Sequence, residues 1–135
     1  WLLHGLPKNS KLISAEIDEK LVARTKELFA KYSNVEIRQG DCFEVMKNEM
    51  PFDLLFIDTG IRHLLTPENY GRITDMVKVG GKIVFDDLLP IELWLSDWDD
   101  LVDEKREFIF RNPRVIGTEV RTTATQVAII ATRVS

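Results

Sequence analysis

Apolar residues along this chain change spacing repeatedly, from the alternation typical of strands to the three- and four-residue spacing of helices. Each strand-like segment is followed by a helix-like one until about residue 110. After that point, two strand-like segments follow one another. The predicted strands cover residues 11–17, 35–38, 52–57, 82–85, 115–121 and 126–134. The predicted helices cover residues 19–32, 42–48, 67–77 and at least the second half of 93–110.

Polar and turn residues mark the ends of several of these elements. Asp18 and Asp41 precede helical segments and suit the N-cap position, where a carboxylate accepts from free backbone N–H groups. Pro67 fits the first turn of its helix, since a helix needs no N–H donor there. We expect Gly80 and Gly81 to turn the chain into the strand that follows.

The order of these elements predicts an α/β fold. Residues 52–57 form a nearly continuous apolar run, which is typical of a central strand buried on both faces. The last two strands are joined by residues 122–125 and should form a hairpin. Together these features predict one domain over residues 1–135, a doubly wound and mostly parallel sheet with one antiparallel strand near its edge.

Composition narrows the class of protein. With 44% hydrophobic and 30% charged residues among 135, the chain can build an ordinary globular core. A net charge of −4 disfavours nucleic-acid binding by a broad basic surface. No apolar run approaches the roughly 18–20 residues of a membrane-spanning helix. The single cysteine, Cys42, excludes an internal disulfide and fits a cytoplasmic location.

The chain opens on an apolar segment without methionine. Residues 1–7, WLLHGLP, resemble the last turns of a helix that Pro7 ends. We therefore expect a chain that lacks its N-terminal part.

Carboxylates follow three of the predicted strands. Glu16 ends the first, Asp58 the third, and Asp86 with Asp87 the fourth. In an open parallel sheet, ligands bind beyond the carboxyl ends of the strands. Acidic side chains collected there can converge on one cofactor or one metal ion.

Four segments resemble a known family, the S-adenosylmethionine-dependent O-methyltransferases of the metal-dependent catechol/caffeoyl-CoA type. The likeness covers nearly the whole chain and includes the order and spacing of the segments. It implies a Rossmann-like methyltransferase sheet with a terminal hairpin, and methyl transfer to a hydroxyl of a small phenol or catechol. The segments are ISAEID at 13–18, QGDC at 39–42, FDLLFID at 52–58 and VGGKIVFDD at 79–87.

The resemblance assigns cofactor contacts to four residues. Glu16 matches the acid that accepts hydrogen bonds from the ribose hydroxyls, because a carboxylate offers two acceptor oxygens and no donor. Asp41 and Cys42 match positions near the adenine, and Asp58 lies on the cofactor side of the cleft. The alternatives are a solvated acid or helix cap for Glu16 and a plain N-cap for Asp41.

The resemblance also implies a divalent metal. Asp58, Asp86 and Asp87 match the metal ligands, and oxygen ligands of this kind suit Mg²⁺. The pair is Asp-Asp where Asp-Asn is common in the family, which makes this site more negative. The alternative is that Asp86 and Asp87 cap the following turn.

Two further parts of the acceptor site remain open. The family commonly has a lysine three residues beyond the first metal Asp, and Ile61 stands there, followed by Arg62 and His63. His63 has a suitable pKa for a general base, and the alternative is a surface histidine. Trp94 and Trp98 suit either an aromatic wall for a planar acceptor or the core face of a helix.

The glycine-rich loop that holds the methionine part of the cofactor is missing, since none of the seven glycines forms one. The family's first strand is missing with it, and strand addition in a homodimer is one way to cover the exposed edge. Two alternatives to an O-methyltransferase follow. One is a catalytically silent methyltransferase-like module that binds a nucleoside or a protein. The other is a nicotinamide-dependent oxidoreductase, in which the acidic set after the strands has no task.

Overall fold

The computed structural model of this chain describes residues 2–58, 66–95 and 103–135. Its backbone divides into two compact units, Trp1–Glu49 and Met50–Ser135. Each unit contains its own sheet and is described by itself. None of the described helices is long and apolar enough to cross a bilayer.

The first unit is a parallel two-stranded sheet with three helices. Its strands pair in register from Leu12 opposite Val35 to Glu16 opposite Gln39. The elements are α1 (Leu2–Gly5), β1 (Leu12–Glu16), α2 (Glu19–Phe29), β2 (Val35–Gln39) and α3 (Cys42–Val45).

Helices α2 and α3 each begin with a side-chain N-cap, as the sequence predicts. The Asp18 carboxylate accepts from the backbone N–H groups of Lys20 and Leu21 at the start of α2. The Asp41 carboxylate accepts from Phe43 and Glu44 at the start of α3. Each cap satisfies N–H groups that a helix cannot bond internally. Both helices end three residues earlier than predicted.

The second unit holds a mixed four-stranded sheet. The strand order is β3-β4-β6-β5, with β3 parallel to β4 and β6 antiparallel to both of its neighbours. The predicted terminal hairpin and the single antiparallel strand near the edge are therefore confirmed. The elements are β3 (Phe52–Ile57), α4 (Pro67–Asp75), β4 (Val77–Leu88), a 3₁₀ turn (Ile91–Leu93), α5 (Glu104–Arg111), β5 (Val115–Arg121) and β6 (Val127–Arg133).

Residues 52–57 do not form the predicted central strand. The described strands form two sheets, and β3 is an edge strand of the second. Asp53 is exposed and Leu54 keeps 43% of its surface accessible. An apolar run predicts that a segment forms a strand with buried side chains, but it does not predict which strands pair with it.

The predicted turn at Gly80 and Gly81 is also wrong, because β4 runs through both residues. The register with β3 shifts between Phe52 opposite Val77 and Leu54 opposite Lys82, so β4 carries extra residues there. Gly80 has φ +85°. A Cβ on Gly81 would lie 2.5 Å from the Val77 side chain and 3.0 Å from the Asp53 carbonyl oxygen. The glycine pair therefore makes a bulge inside a strand rather than a turn before it.

The core of the second unit is built around two phenylalanines. Phe85 of β4 and Phe108 of α5 are fully buried and meet edge to face, with ring centroids 5.9 Å apart. Tyr70 of α4 packs against Phe108 at 5.0 Å. These contacts fix α4 and α5 against β4, which carries Asp86 and Asp87 near its end.

Candidate functional site

Glu16 ends β1 with one of its carboxylate oxygens already fixed. Glu16 Oε1 accepts from the backbone N–H of Ile17 at 2.7 Å and of Asp18 at 2.9 Å. The side chain is half-buried, and its other oxygen, Oε2, accepts no hydrogen bond from the described residues. The carboxylate is therefore oriented by its own backbone and keeps acceptor capacity for a ligand.

Gly40 brings Asp41 next to the end of β1. Its N–H donates to the Glu16 carbonyl at 2.9 Å, and its φ is +133°. A Cβ at this position would lie 2.8 Å from Val45 Cγ1. Both the backbone conformation and the space require glycine here.

We expect Gly40→Ala to lower the free energy of unfolding by about 1–3 kcal/mol, because the new side chain strains the backbone and crowds Val45. Urea unfolding followed by circular dichroism measures this loss. Gly5→Ala is the control, since nothing lies within 4 Å of a Cβ there. Equal stability of the two variants would contradict the requirement for glycine at position 40.

Asp41 and Cys42 follow directly at the start of α3. Asp41 Oδ1 accepts from Phe43 N at 3.0 Å, so the predicted N-cap role is confirmed. Asp41 is exposed and Cys42 is half-buried. Adenine contact by these two residues stays a prediction.

In the second unit, Asp86 and Asp87 form a bulge near the end of β4, where the register with β6 shifts between Phe85 and Leu88. Asp87 N donates to Asp86 Oδ1 at 2.9 Å, and Asp87 has φ +56°. Gln126, at the end of the hairpin turn, donates from Nε2 to Asp87 Oδ1 at 2.9 Å. Asp58 follows β3 and is exposed. Both carboxylates of the pair therefore accept hydrogen bonds from within their own unit.

The described part of the chain does not assemble the predicted magnesium site. Within residues 2–58, 66–95 and 103–135, no group of three or more His, Cys, Asp and Glu side chains is arranged to hold a metal ion. The set Asp58, Asp86 and Asp87 thus gains no support from the geometry.

Lys105, near the start of α5, lies beside the same bulge, and the sequence did not predict this contact. Its Nζ donates to the Asp86 carbonyl oxygen at 3.2 Å and lies 5.8 Å from the centre of the Phe85 ring. A helical pattern predicts α5 but does not place its first turn at the carboxyl end of β4.

Arg106, the next residue, ties the segment after β4 to the rest of the unit. It donates to both carboxylate oxygens of Glu119, at 2.7 and 3.1 Å, to the Asp103 carboxylate, and to the Leu89 carbonyl at 3.2 Å. Its guanidinium also lies 5.9 Å from the centre of the Trp94 ring. This arrangement holds residues 89–94 in place.

Trp94 follows the 3₁₀ turn and is half-buried, with its Nε1 donating to the Leu89 carbonyl at 3.3 Å. It does not lie in a helix, so the predicted helical core face is wrong for this residue. Arg121 pairs with Glu92 in the same segment. Hydrogen bonds from the Glu92 backbone and from Arg121 hold the pKa of Glu92 below its usual value.

Several predicted site residues lie outside the described residues. They include His63, the predicted base, with its neighbours Ile61 and Arg62, and also Trp98. Their roles stay predictions.

Comparison with known structures supports the fold. A candidate O-methyltransferase from Klebsiella pneumoniae matches 100% of this chain and 67% of its own, with 22% identity and a TM-score of 0.72. Cofactor-bound Rv0187 from MTB matches 100% of this chain and 67% of its own, with 24% identity and a TM-score of 0.69. An SAH-bound methyltransferase from Podospora anserina matches 93% and 61%, with 19% identity and a TM-score of 0.65.

The chain thus spans about two thirds of the length of these similar structures, and at these identities the likeness shows an α/β methyltransferase fold. No curated protein matches the sequence. The family model for O-methyltransferases matches residues 2–130. With nearly the whole sequence inside that model, the chain belongs to the O-methyltransferase family of S-adenosylmethionine-dependent enzymes.

Proposed function

We propose that the protein transfers a methyl group from S-adenosylmethionine to the hydroxyl of a small phenol or catechol-like acceptor. The observation that carries this proposal is the Glu16 carboxylate, which its own backbone orients while one oxygen keeps its acceptor capacity. A ribose diol presents two hydroxyl donors, which such a carboxylate can accept. The net charge of −4 favours a small acceptor over nucleic acid.

The described residues of the first unit fit the nucleoside part of this cofactor. Glu16 accepts hydrogen bonds from the ribose hydroxyls. Asp41 and Cys42 lie beside Glu16, because the N–H of Gly40 donates to the Glu16 carbonyl. Asp41 uses one carboxylate oxygen as a helix cap, and the other is left for an exocyclic amine. S-adenosylmethionine, when bound, supplies a methyl group on a positively charged sulfur.

On the acceptor side, this chain's residues orient and hold the hydroxyl. Asp86 and Asp87 form an acidic bulge near the end of β4, and Gln126 holds Asp87 in its left-handed conformation. Metal assistance by Asp58, Asp86 and Asp87 is a proposal from the family resemblance alone. Titration with Mg²⁺ tests it, since Asp86→Asn should remove the binding heat if this set holds the ion.

A catalytically silent module that binds a nucleoside is the second candidate. One specific observation favours it: Asp86 Oδ1 and Asp87 Oδ1 are already engaged within the unit. Adenosine binding without methyl transfer to catechol would support this candidate.

Calorimetric titration with S-adenosylhomocysteine tests the cofactor site. We expect Glu16→Gln to weaken binding about 10- to 100-fold, because a hydrogen bond to a charged group contributes roughly 1.5–3 kcal/mol. Glu27→Gln, on the exposed side of α2, is the control and should bind like the unchanged chain. Equal affinity of both variants would remove Glu16 from the site.

The cytoplasmic location and the homodimer are proposals as well. The single cysteine and the edge strand β3 support them. Sedimentation velocity would decide the oligomeric state.

A further inference from the structure

We propose that Lys105 is a catalytic residue that binds the oxygen of the acceptor in its anionic form. This inference rests on the proposed function and names a contact within that site. The ammonium lies at the carboxyl end of β4, where its Nζ is 3.2 Å from the carbonyl oxygen of Asp86. It thus lies one hydrogen bond from the bulge at Asp86 and Asp87, near the end of this strand.

The Lys105 ammonium has donors to spare. An ammonium carries three N–H donors, and the Asp86 carbonyl takes one of them. No carboxylate within residues 2–58, 66–95 and 103–135 lies within ion-pair distance of this Nζ. Arg106, the next residue, differs in this respect, because Glu119 and Asp103 occupy its guanidinium.

The surroundings hold the ammonium in place without neutralising it. The Phe85 ring lies 5.8 Å from Nζ, within the range in which a cation is attracted to an aromatic face. Phe85 is fully buried and Lys105 is half-buried, so the charge stands at the margin of the core rather than in bulk water. A cation placed there strengthens the binding of an oxyanion, since the local dielectric constant is lower than that of water.

This position suits the chemistry of a hydroxyl acceptor. The hydroxyl releases its proton to solvent, and the oxygen keeps the electron pair of the broken O–H bond. The resulting oxyanion accepts a charge-assisted hydrogen bond from Lys105, which keeps its own three protons.

Binding of 4-nitrophenol tests the inference without methyl transfer, because its phenolate has a separate absorption band. At constant near-neutral pH, the unchanged chain should raise the phenolate fraction, and Lys105→Met should weaken phenolate binding about 10- to 100-fold. Lys105→Arg should keep most of the effect. No rise with the unchanged chain, or an equal rise with Lys105→Met, would overturn the inference.

Lys82→Met is the matched control. Lys82 lies in the middle of β4 and also donates to a backbone carbonyl, that of Gly80 at 3.4 Å. Titration of the same proteins with S-adenosylhomocysteine separates the two proposals. If the unchanged chain binds no S-adenosylhomocysteine but still raises the phenolate fraction, the proposed function fails and the role of Lys105 stands. If it binds S-adenosylhomocysteine but does not raise the phenolate fraction, the role of Lys105 fails and the proposed function stands.

Discussion

Replacing Arg106 with methionine should lower the free energy of unfolding by about 2–4 kcal/mol, because two carboxylates then lose a buried cationic partner. The Arg106 side chain is only 9% exposed, while those of Asp103 and Glu119 are 19% and 32% exposed. The partial exposure of Glu119 puts the expected loss below the upper end of the range for buried ion pairs.

The geometry of the Arg106 cluster makes the charge essential. Burial lowers the pKa of Arg106, but its hydrogen bonds to Glu119 and the nearby Asp103 charge outweigh this effect and raise the pKa overall. The guanidinium therefore stays charged across the accessible pH range. Arg106→Lys should recover little, since a lysine cannot reproduce the two parallel bonds to Glu119.

Urea unfolding monitored by circular dichroism measures this effect, with Arg111→Met as the control on the same helix. Arg111 is 76% exposed and pairs with Glu107 one turn away. Its loss should change the free energy of unfolding by less than about 0.5 kcal/mol. Similar losses in the two variants would show that the Arg106 cluster adds no stability.

The features that the sequence predicted correctly are local. The caps at Asp18 and Asp41 depend on hydrogen bonds over two or three residues, and the terminal hairpin depends on one short turn. Residue type and spacing determine such contacts almost completely. The position of Glu16 at the end of β1 is confirmed. Its contact with the ribose, which the family resemblance implies, stays a prediction.

The features that it missed depend on distant neighbours. The edge position of β3 and the bulge at Gly80 follow from which strands pair and in which register. Lys105 reaches Asp86 across 19 residues, and Gln126 reaches Asp87 across 39. No periodicity carries this information, because it arises only when β4, α5 and the hairpin pack together.

Phe108 links this packing to the bulge at Asp86 and Asp87. It is fully buried between Tyr70 and Phe85, and Phe85 directly precedes Asp86. Lys105 lies on the same helix as Phe108, and its ammonium is placed over the Phe85 ring that Phe108 contacts. The position of the proposed catalytic ammonium therefore depends on the Phe108 side chain.

We expect Phe108→Ala to lower the free energy of unfolding by about 3–5 kcal/mol, because it leaves a cavity where two aromatic contacts were. Phe110→Ala, on the same helix at a position that is 50% exposed, should cost less than about 1 kcal/mol. Urea unfolding compares the two. If the Phe108 variant retains its fold, its phenolate binding should weaken as well, since Phe85 no longer has a fixed neighbour beneath Lys105. A Phe108 variant as stable as the Phe110 variant would show that this aromatic contact does not hold α5 against β4.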